Sequence, residues 1–146
     1  MKSIMVFFGI FLLTSCSINN KVKDNNKIYK ISLVTLITNP EKYNKKRIQV
    51  EGYYYYEHEA SAIYINKSDF ENALFKNAVY LYMTTDFLKS QGIEKPYKGY
   101  ISIEGIFNKD KLGSGGFFSG IIEDVISISR LYKRGSENVF NIDWIK

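Results

Sequence analysis

The stretch "RIQVEGYYYYE", residues 47–57, alternates apolar and polar side chains with a period of two. This is the pattern of a strand with one face against a core, because successive side chains of a strand point to opposite faces. The stretch therefore predicts a long strand whose inward set is Ile48, Val50, Gly52, Tyr54 and Tyr56.

The first part of this strand has an echo later in the chain. "RIQVEGYY" at residues 47–54 resembles "YISIEGIF" at residues 100–107, and both place a glycine after alternating apolar residues. A strongly coiled strand needs a residue without a side chain at the point where it bends. The alternative is coincidence between two generic strands. Further strands are predicted near residues 62–65, 79–83 and 120–128, and Val50, Leu81, Ile103 and Ile126 are expected to be buried in their strands.

Three short helices are predicted between these strands. Ser32 caps the first, which ends at Asn39-Pro40. Ser68 and Glu71 stand at capping-box spacing and predict a helix of about two turns with Phe70, Ala73 and Leu74 on one side. The third runs over Thr85–Gln91 and ends at Gly92. The tail "NVFNIDWIK", residues 138–146, has apolar residues at spacing two and is expected to pack against the domain.

The first sixteen residues, "MKSIMVFFGIFLLTSC", have a lysine, an apolar run and a small-residue ending. These features are typical of a secretory signal, which is too short to span a bilayer as a mature helix. Its last four residues, Leu13 to Cys16, resemble the lipobox of bacterial lipoprotein precursors. The resemblance implies a signal peptide over 1–15, lipidation of Cys16 followed by a flexible tether over 16–27, and a domain over 28–146.

Cys16 is the only cysteine, so lipidation would account for a thiol that would otherwise be free and reactive in an exported protein. An ordinary signal peptide with an incidental cysteine is the alternative. Ser17 stands where an aspartate would favour retention in the inner membrane, by resemblance to the sorting rule of enteric bacteria. We therefore expect a lipid-anchored protein of the outer membrane that faces the periplasm.

The order of elements after the tether resembles the OB-fold, a small five-stranded barrel with a helix between strands three and four. The helix near residue 70 is an insertion in that pattern. With the opening "NPEKYNKKRIQVEGY", residues 39–53, the chain resembles small bacterial envelope lipoproteins with OB-like barrels. The expected fold class is mainly β with short helices (α+β), and a fold alone gives no function.

Few residues suggest catalysis or metal binding. His58 is the only histidine and lies in "EHE", where Glu57 and Glu59 point away from it if the strand continues. A lone histidine with an acylated thiol leaves no nucleophilic triad. Glu123 and Asp124 are adjacent on a strand and diverge. "GSGGFFSG", residues 113–120, lacks the Gly-Lys-Ser/Thr ending of a phosphate loop. We therefore expect no catalytic residues, no metal and no cofactor.

Aromatic side chains on the outer face are the best candidates for binding. Alternation sends six tyrosines outward, and the glycine-rich loop carries two phenylalanines. Tyrosine suits strands and keeps its hydroxyl in water, so one interpretation is a scaffold. The other is an aromatic platform for a partner. For the two phenylalanines the alternative is re-entry into the core. The candidate residues are Tyr53, Tyr55, Tyr64, Tyr80, Tyr82, Tyr100, Phe117 and Phe118.

The formal charge is +5, and it falls to +4 when Lys2 leaves with the signal, with 19 Lys and Arg against 15 Asp and Glu. Four lysines between residues 21 and 30 lie close to the expected membrane surface, so the basic balance does not predict a nucleic-acid partner. Two functions are expected. The first is a non-catalytic binding module for a protein, peptide or glycan of the envelope. The second is a periplasmic inhibitor or immunity lipoprotein against a toxin or hydrolase.

Overall fold

A computed structural model describes residues 27–57 and 60–132. The predicted signal peptide, Cys16, most of the tether, His58, Glu59 and the tail from residue 133 lie outside the described residues. Within the described residues there are six strands: β1 (Tyr29–Lys30), β2 (Arg47–Glu57), β3 (Ala60–Tyr64), β4 (Ala78–Leu81), β5 (Tyr97–Asn108) and β6 (Ile121–Arg130). The helices are α1 (Leu33–Thr38), α2 (Pro40–Tyr43), α3 (Lys67–Glu71) and α4 (Thr85–Ser90), with 3₁₀ turns at Phe75–Asn77 and Ser114–Gly116.

The strands form one mixed sheet in the order β1-β2-β3-β4-β6-β5. An additional pairing of β2 with β5 closes the last five strands into a ring. The β1–β2 and β4–β6 pairs are parallel, and the other pairs are antiparallel. The prediction of a mainly β fold with short helices is therefore confirmed. Strand β1 was not predicted.

The sequence echo corresponds to a local twofold arrangement of β2 and β5. Val50 pairs with Ile103, Gly52 with Ile101, and Ile48 with Gly105. At each of these two glycines, the strand on the other side approaches closely. A Cβ atom on Gly52 would lie 2.5 Å from the carbonyl oxygen of Tyr64 in β3, and one on Gly105 would lie 2.7 Å from the Ile122 side chain in β6. The glycines thus allow β3 to approach β2 closely and β6 to approach β5 closely.

The core lies inside the ring, and the inward set predicted for β2 is buried in it. Tyr54, at the centre of β2, is fully buried and its hydroxyl is 3.1 Å from Ser61 Oγ, so the polar end of the ring has a partner. Leucines from α1 and α4 join the same cluster. Buried members include Leu33, Leu36, Ile48, Val50, Ile63, Val79, Leu81, Leu88, Ile101 and Ile103.

The first and third predicted helices are confirmed, and the first has its predicted capping residue, Ser32. Ser32 Oγ accepts the Thr35 N–H, and Thr84 Oγ1 accepts the Phe87 N–H. A helix is present around residue 70 as predicted, but the predicted capping residue is wrong, because Asn66 Oδ1 accepts the Asp69 N–H and Ser68 lies inside the helix. The helix ends at Glu71, well short of two full turns.

Strand β6 contains an irregularity that changes which of its residues face inward. Ile106 pairs with Glu123 and Glu104 with Ser127, so three residues of β6 oppose the single residue Gly105. Asp124 has a positive φ of 49° in this bulge. The extra residues shift the alternation. Ile126, predicted to be buried, is 51% exposed, and Ile128 is the buried residue at 7%.

Candidate partner-binding face

A row of three tyrosines crosses the outer face of three adjacent strands. Tyr53 in β2 pairs with Tyr64 in β3 on one side and with Tyr100 in β5 on the other. The Tyr53 and Tyr100 rings meet edge to face, with centroids 5.4 Å apart. The alternation predicted for β2 therefore places these rings together on the outside of the ring of strands.

Helix α3 covers much of this row with one side chain. The Phe70 ring centroid lies 5.6 Å from that of Tyr53, 5.5 Å from that of Tyr64 and 4.6 Å from that of Tyr55. Tyr53 and Tyr64 are consequently buried, at 6% and 4% exposure. The prediction that all six tyrosines face water is wrong for these two, because a helix lies over them. Their burial agrees with the scaffold interpretation.

A lysine, Lys98, and one exposed tyrosine, Tyr100, lie at the edge of the covered row. Lys98 Nζ lies 5.3 Å from the Tyr55 ring centroid and 5.6 Å from that of Phe70, which are cation–π distances. The Tyr55 hydroxyl donates a hydrogen bond to Glu57, and this bond raises the pKa of Tyr55 above its ordinary value. Tyr100 is 43% exposed. A partner would therefore meet Tyr100, Lys98 and the edge of Tyr55.

A second aromatic group forms where the glycine-rich loop meets the 3₁₀ turn before β4. The Phe75 ring lies 5.9 Å from that of Phe117 and 5.7 Å from that of Phe118, and Phe118 lies 5.5 Å from Tyr80. Gly113, Gly115 and Gly116 all have positive φ, which lets the loop turn tightly before the two phenylalanines. The two rings then diverge, since Phe118 is 7% exposed and Phe117 is 58% exposed.

Two shallow cavities lie beside the Phe75 and Phe117 rings. One, of about 350 Å³, is bounded by Ala73, Leu74 and Lys76; the other, of about 300 Å³, reaches Ala60 and Tyr80. Leu74 and Phe75 are 47% and 39% exposed. We call the exposed side chains of Leu74, Phe75 and Phe117 with these two cavities the aromatic groove. Three exposed apolar side chains therefore line one surface depression.

The predicted site residues thus differ widely in their exposure to solvent. Phe118, Tyr53 and Tyr64 are buried, Tyr55 and Tyr80 are half-buried, and Tyr100 and Phe117 are exposed. Tyr82 is 69% exposed but belongs to neither group of contacting rings. Sequence reasoning missed Phe75 altogether and assigned Leu74 to a helix face. The short apolar pair "LF", residues 74–75, carries no periodicity that could have indicated the groove.

Several ionisable side chains of the described residues form ion pairs. Glu123 accepts hydrogen bonds from Asn108 Nδ2 at 2.8 Å and from Lys111 Nζ at 2.7 Å, and these hold the pKa of its carboxyl below the usual range. Across residues 27–57 and 60–132, no three His, Cys, Asp or Glu residues cluster as metal ligands would. Of the "EHE" motif, only Glu57 is described.

Comparison with protein families, with curated proteins and with solved structures finds no match for this chain. Within the same two described segments, no helix has the length and apolar character needed to cross a membrane.

Proposed function

We propose that this protein is a lipid-anchored envelope lipoprotein whose OB-like barrel is a non-catalytic binding module for a protein or peptide. The strand order supports the barrel assignment: five strands pair in a closed ring, the third and last of them are parallel, and α4 lies between the third and fourth. The anchor rests on the resemblance of Leu13 to Cys16 to a lipobox. No cofactor and no nucleic acid are part of the proposal.

The single observation that carries a binding function is the aromatic groove. In OB-folds the loop between strands four and five borders the ligand site. The corresponding loop here joins β5 to β6 and holds Phe117 open to solvent against Phe75. Aromatic side chains packed at pockets anchor many protein interfaces, and this pair lies beside two small cavities.

The chemistry of the groove favours an apolar side chain of a protein or peptide over a glycan. Its exposed apolar members, Leu74, Phe75 and Phe117, carry no side-chain hydrogen-bonding group. Lys76, Asn77 and Ser114 also line the cavities, but the cavity surfaces are mostly apolar. A sugar-binding surface would combine a ring face with polar groups that satisfy hydroxyls. Tyr100 and Lys98 supply polar groups at the other aromatic cluster and would extend the contact of a larger partner.

The experiment is capture of partners from envelope extracts by the purified domain. We expect Phe75→Ser combined with Phe117→Ser to abolish capture and to leave the melting temperature nearly unchanged, because both rings are substantially exposed. Tyr82→Ser is the matched control, since Tyr82 is also an exposed aromatic residue but lies outside the groove. Capture retained by the double variant would refute the groove as the site.

The same experiment separates the binding module from the inhibitor or immunity alternative. A resident envelope protein captured from unstressed cells supports the module. Capture of nothing from such cells, together with protection by the lipoprotein only under challenge with a toxin or hydrolase, would replace the module by the second function.

A further inference from the structure

Two lysines converge on one tyrosine ring where β1 lies beside the start of β2. Lys27 Nζ lies 5.0 Å and Lys46 Nζ 5.1 Å from the centroid of the Tyr29 ring, and both distances are in the cation–π range. Tyr29 pairs in parallel with Ile48, which brings its ring next to the residue that precedes β2. Two like charges are thus held near each other, and an anion bound beside them would lower their repulsion.

The turn between α2 and β2 adds a third lysine and a second ring. The Lys46 N–H donates to the Tyr43 carbonyl oxygen at 3.0 Å, so the chain folds back directly after α2. The Tyr43 ring meets the Tyr29 ring edge to face, with centroids 5.8 Å apart, and Lys42 Nζ lies 5.5 Å from the Tyr43 centroid. We call the side chains that these contacts connect the basic patch: Lys27, Tyr29, Lys42, Tyr43 and Lys46.

The carboxylates next to the basic patch along the chain are engaged by other cations. Glu41 precedes Lys42 in α2, and its carboxylate lies 3.2 Å from Lys109 Nζ. Arg47, which follows the patch, pairs with Glu104 in β5. The three lysines of the patch therefore keep their positive charge without an ion pair inside the described segments, and two of them are exposed.

The chemistry of the basic patch suits the headgroups of anionic lipids. A lysine ammonium group binds phosphate as a point charge, and its long apolar stem can lie along a ring while the charge stays at the surface. Tyrosine is favoured at membrane interfaces, where an apolar ring and a hydroxyl are both accommodated. The patch contains no arginine, which is the side chain suited to bidentate recognition of the carboxylates of an acidic protein.

We infer that the basic patch contacts an anionic lipid surface and thereby orients the barrel at the membrane. The inference rests on the proposed function only for the envelope location, and it goes beyond that function because the patch shares no residue with the aromatic groove. The contact does not require lipidation of Cys16. The anchor and the patch can therefore be tested, and can fail, separately.

The test uses the mature chain with Cys16→Ser, which cannot be lipidated at that position, and sedimentation with lipid vesicles. We expect binding to vesicles of equal parts phosphatidylglycerol and phosphatidylcholine, weakening as salt is added, and no binding to phosphatidylcholine alone. Lys42→Gln combined with Lys46→Gln should lower the partition coefficient by at least about tenfold, because each lysine near an anionic surface contributes roughly fivefold.

Two further variants serve as controls. Lys76→Gln with Lys89→Gln removes the same charge from two exposed lysines on other elements, and it should lower the partition coefficient by less than about threefold. Lys42→Arg with Lys46→Arg keeps the charge of the patch and should bind as the parent does. This variant keeps the test valid if the glutamine variant melts at a lower temperature.

Four results would overturn the inference. Equal losses in the glutamine variant and its charge-matched control would mean that net charge alone drives binding. Equal binding to both kinds of vesicle would exclude recognition of anionic headgroups. Release by millimolar inorganic phosphate at constant ionic strength would assign the patch to free phosphate. Absence of vesicle binding by the unlipidated chain would refute the patch, and it would leave the anchor intact if the wild-type protein is lipidated at Cys16.

Discussion

Phe70 lies over Tyr53 with ring centroids 5.6 Å apart, and so turns an outward-facing tyrosine of β2 into a buried residue. The same ring contacts Tyr55 and Tyr64. Helix α3, which carries Phe70, has only five residues and is held by the Asn66 cap. The outer face of the sheet therefore has a small aromatic core of its own, separate from the one inside the ring.

This second core gives the first prediction. Phe70→Ala should lower the free energy of unfolding by about 2 kcal/mol, because it removes three ring contacts and opens Tyr53 and Tyr64 to water. Chemical denaturation measures the loss. Phe75→Ala, at an exposed ring, should cost less than about 1 kcal/mol. Equal losses for the two variants would contradict the covering role of Phe70.

The bulge in β6 gives a second prediction. Ile128→Ala should cost about 2 to 4 kcal/mol, as Val50→Ala, Leu81→Ala and Ile103→Ala should, because all four side chains are buried. Ile126→Ala should cost less than about 1 kcal/mol, since Ile126 is half exposed. Thermal melts of the five variants test the register. A larger effect at Ile126 than at Ile128 would place the bulge elsewhere.

The Glu123 carboxylate gives a pH prediction. Hydrogen bonds from Lys111 and Asn108 hold its pKa below the ordinary 4.5. The stabilisation is therefore fully present above pH 4.5 and is lost as the pH falls through the lower folded-state pKa. Glu123→Gln should cost about 0.5 to 1 kcal/mol at pH 7 and progressively less below pH 4.5. Urea unfolding across this range measures the difference.

The control for this measurement is Glu51→Gln, at an exposed carboxylate for which the structure shows no ion pair within the described residues. Its free energy of unfolding at pH 7 should stay within about 0.5 kcal/mol of that of the parent. A Glu123→Gln variant whose deficit stays constant from pH 7 to pH 3 would show that the loss is steric and not ionic.

Lipidation is the fourth prediction and concerns residues outside the described structure. Intact-mass analysis of the membrane fraction should find a mature chain that begins at a lipidated Cys16. Cys16→Ala should abolish processing at this site and release the protein from membranes, because a lipoprotein carries two or three acyl chains and each buried methylene contributes about 0.8 kcal/mol. Partitioning of the variant like the parent would contradict the anchor.

The periodicity of the sequence predicted the strands and their inward sets well, because alternation is a local property that each strand carries by itself. The two-residue β1 has no pattern to detect. The start of α3 was misplaced because Asn66 and Ser68 are both good capping residues, and only the fold selects between them. Ile126 was misplaced because a bulge at Asp124 leaves no signal in the alternation.

The candidate site was less predictable than the fold. Alternation correctly sent Tyr53 and Tyr64 outward, but their burial depends on Phe70, which reaches them only after α3 packs on the sheet. Phe117 was identified by its position after the glycines. Phe75, its neighbour in the groove, stands in a 3₁₀ turn where no pattern distinguishes it. Contacts between distant segments define the groove, and a single sequence does not show them.

The most direct test of the binding face is site-specific photo-crosslinking in intact envelopes. A photoreactive phenylalanine analogue replaces Phe117 in one variant and Tyr82 in a second, and both variants are irradiated in unstressed cells. We expect a discrete crosslinked protein product from position 117 and none from position 82. No product from position 117, or the same products from both positions, would contradict the aromatic groove as the binding site.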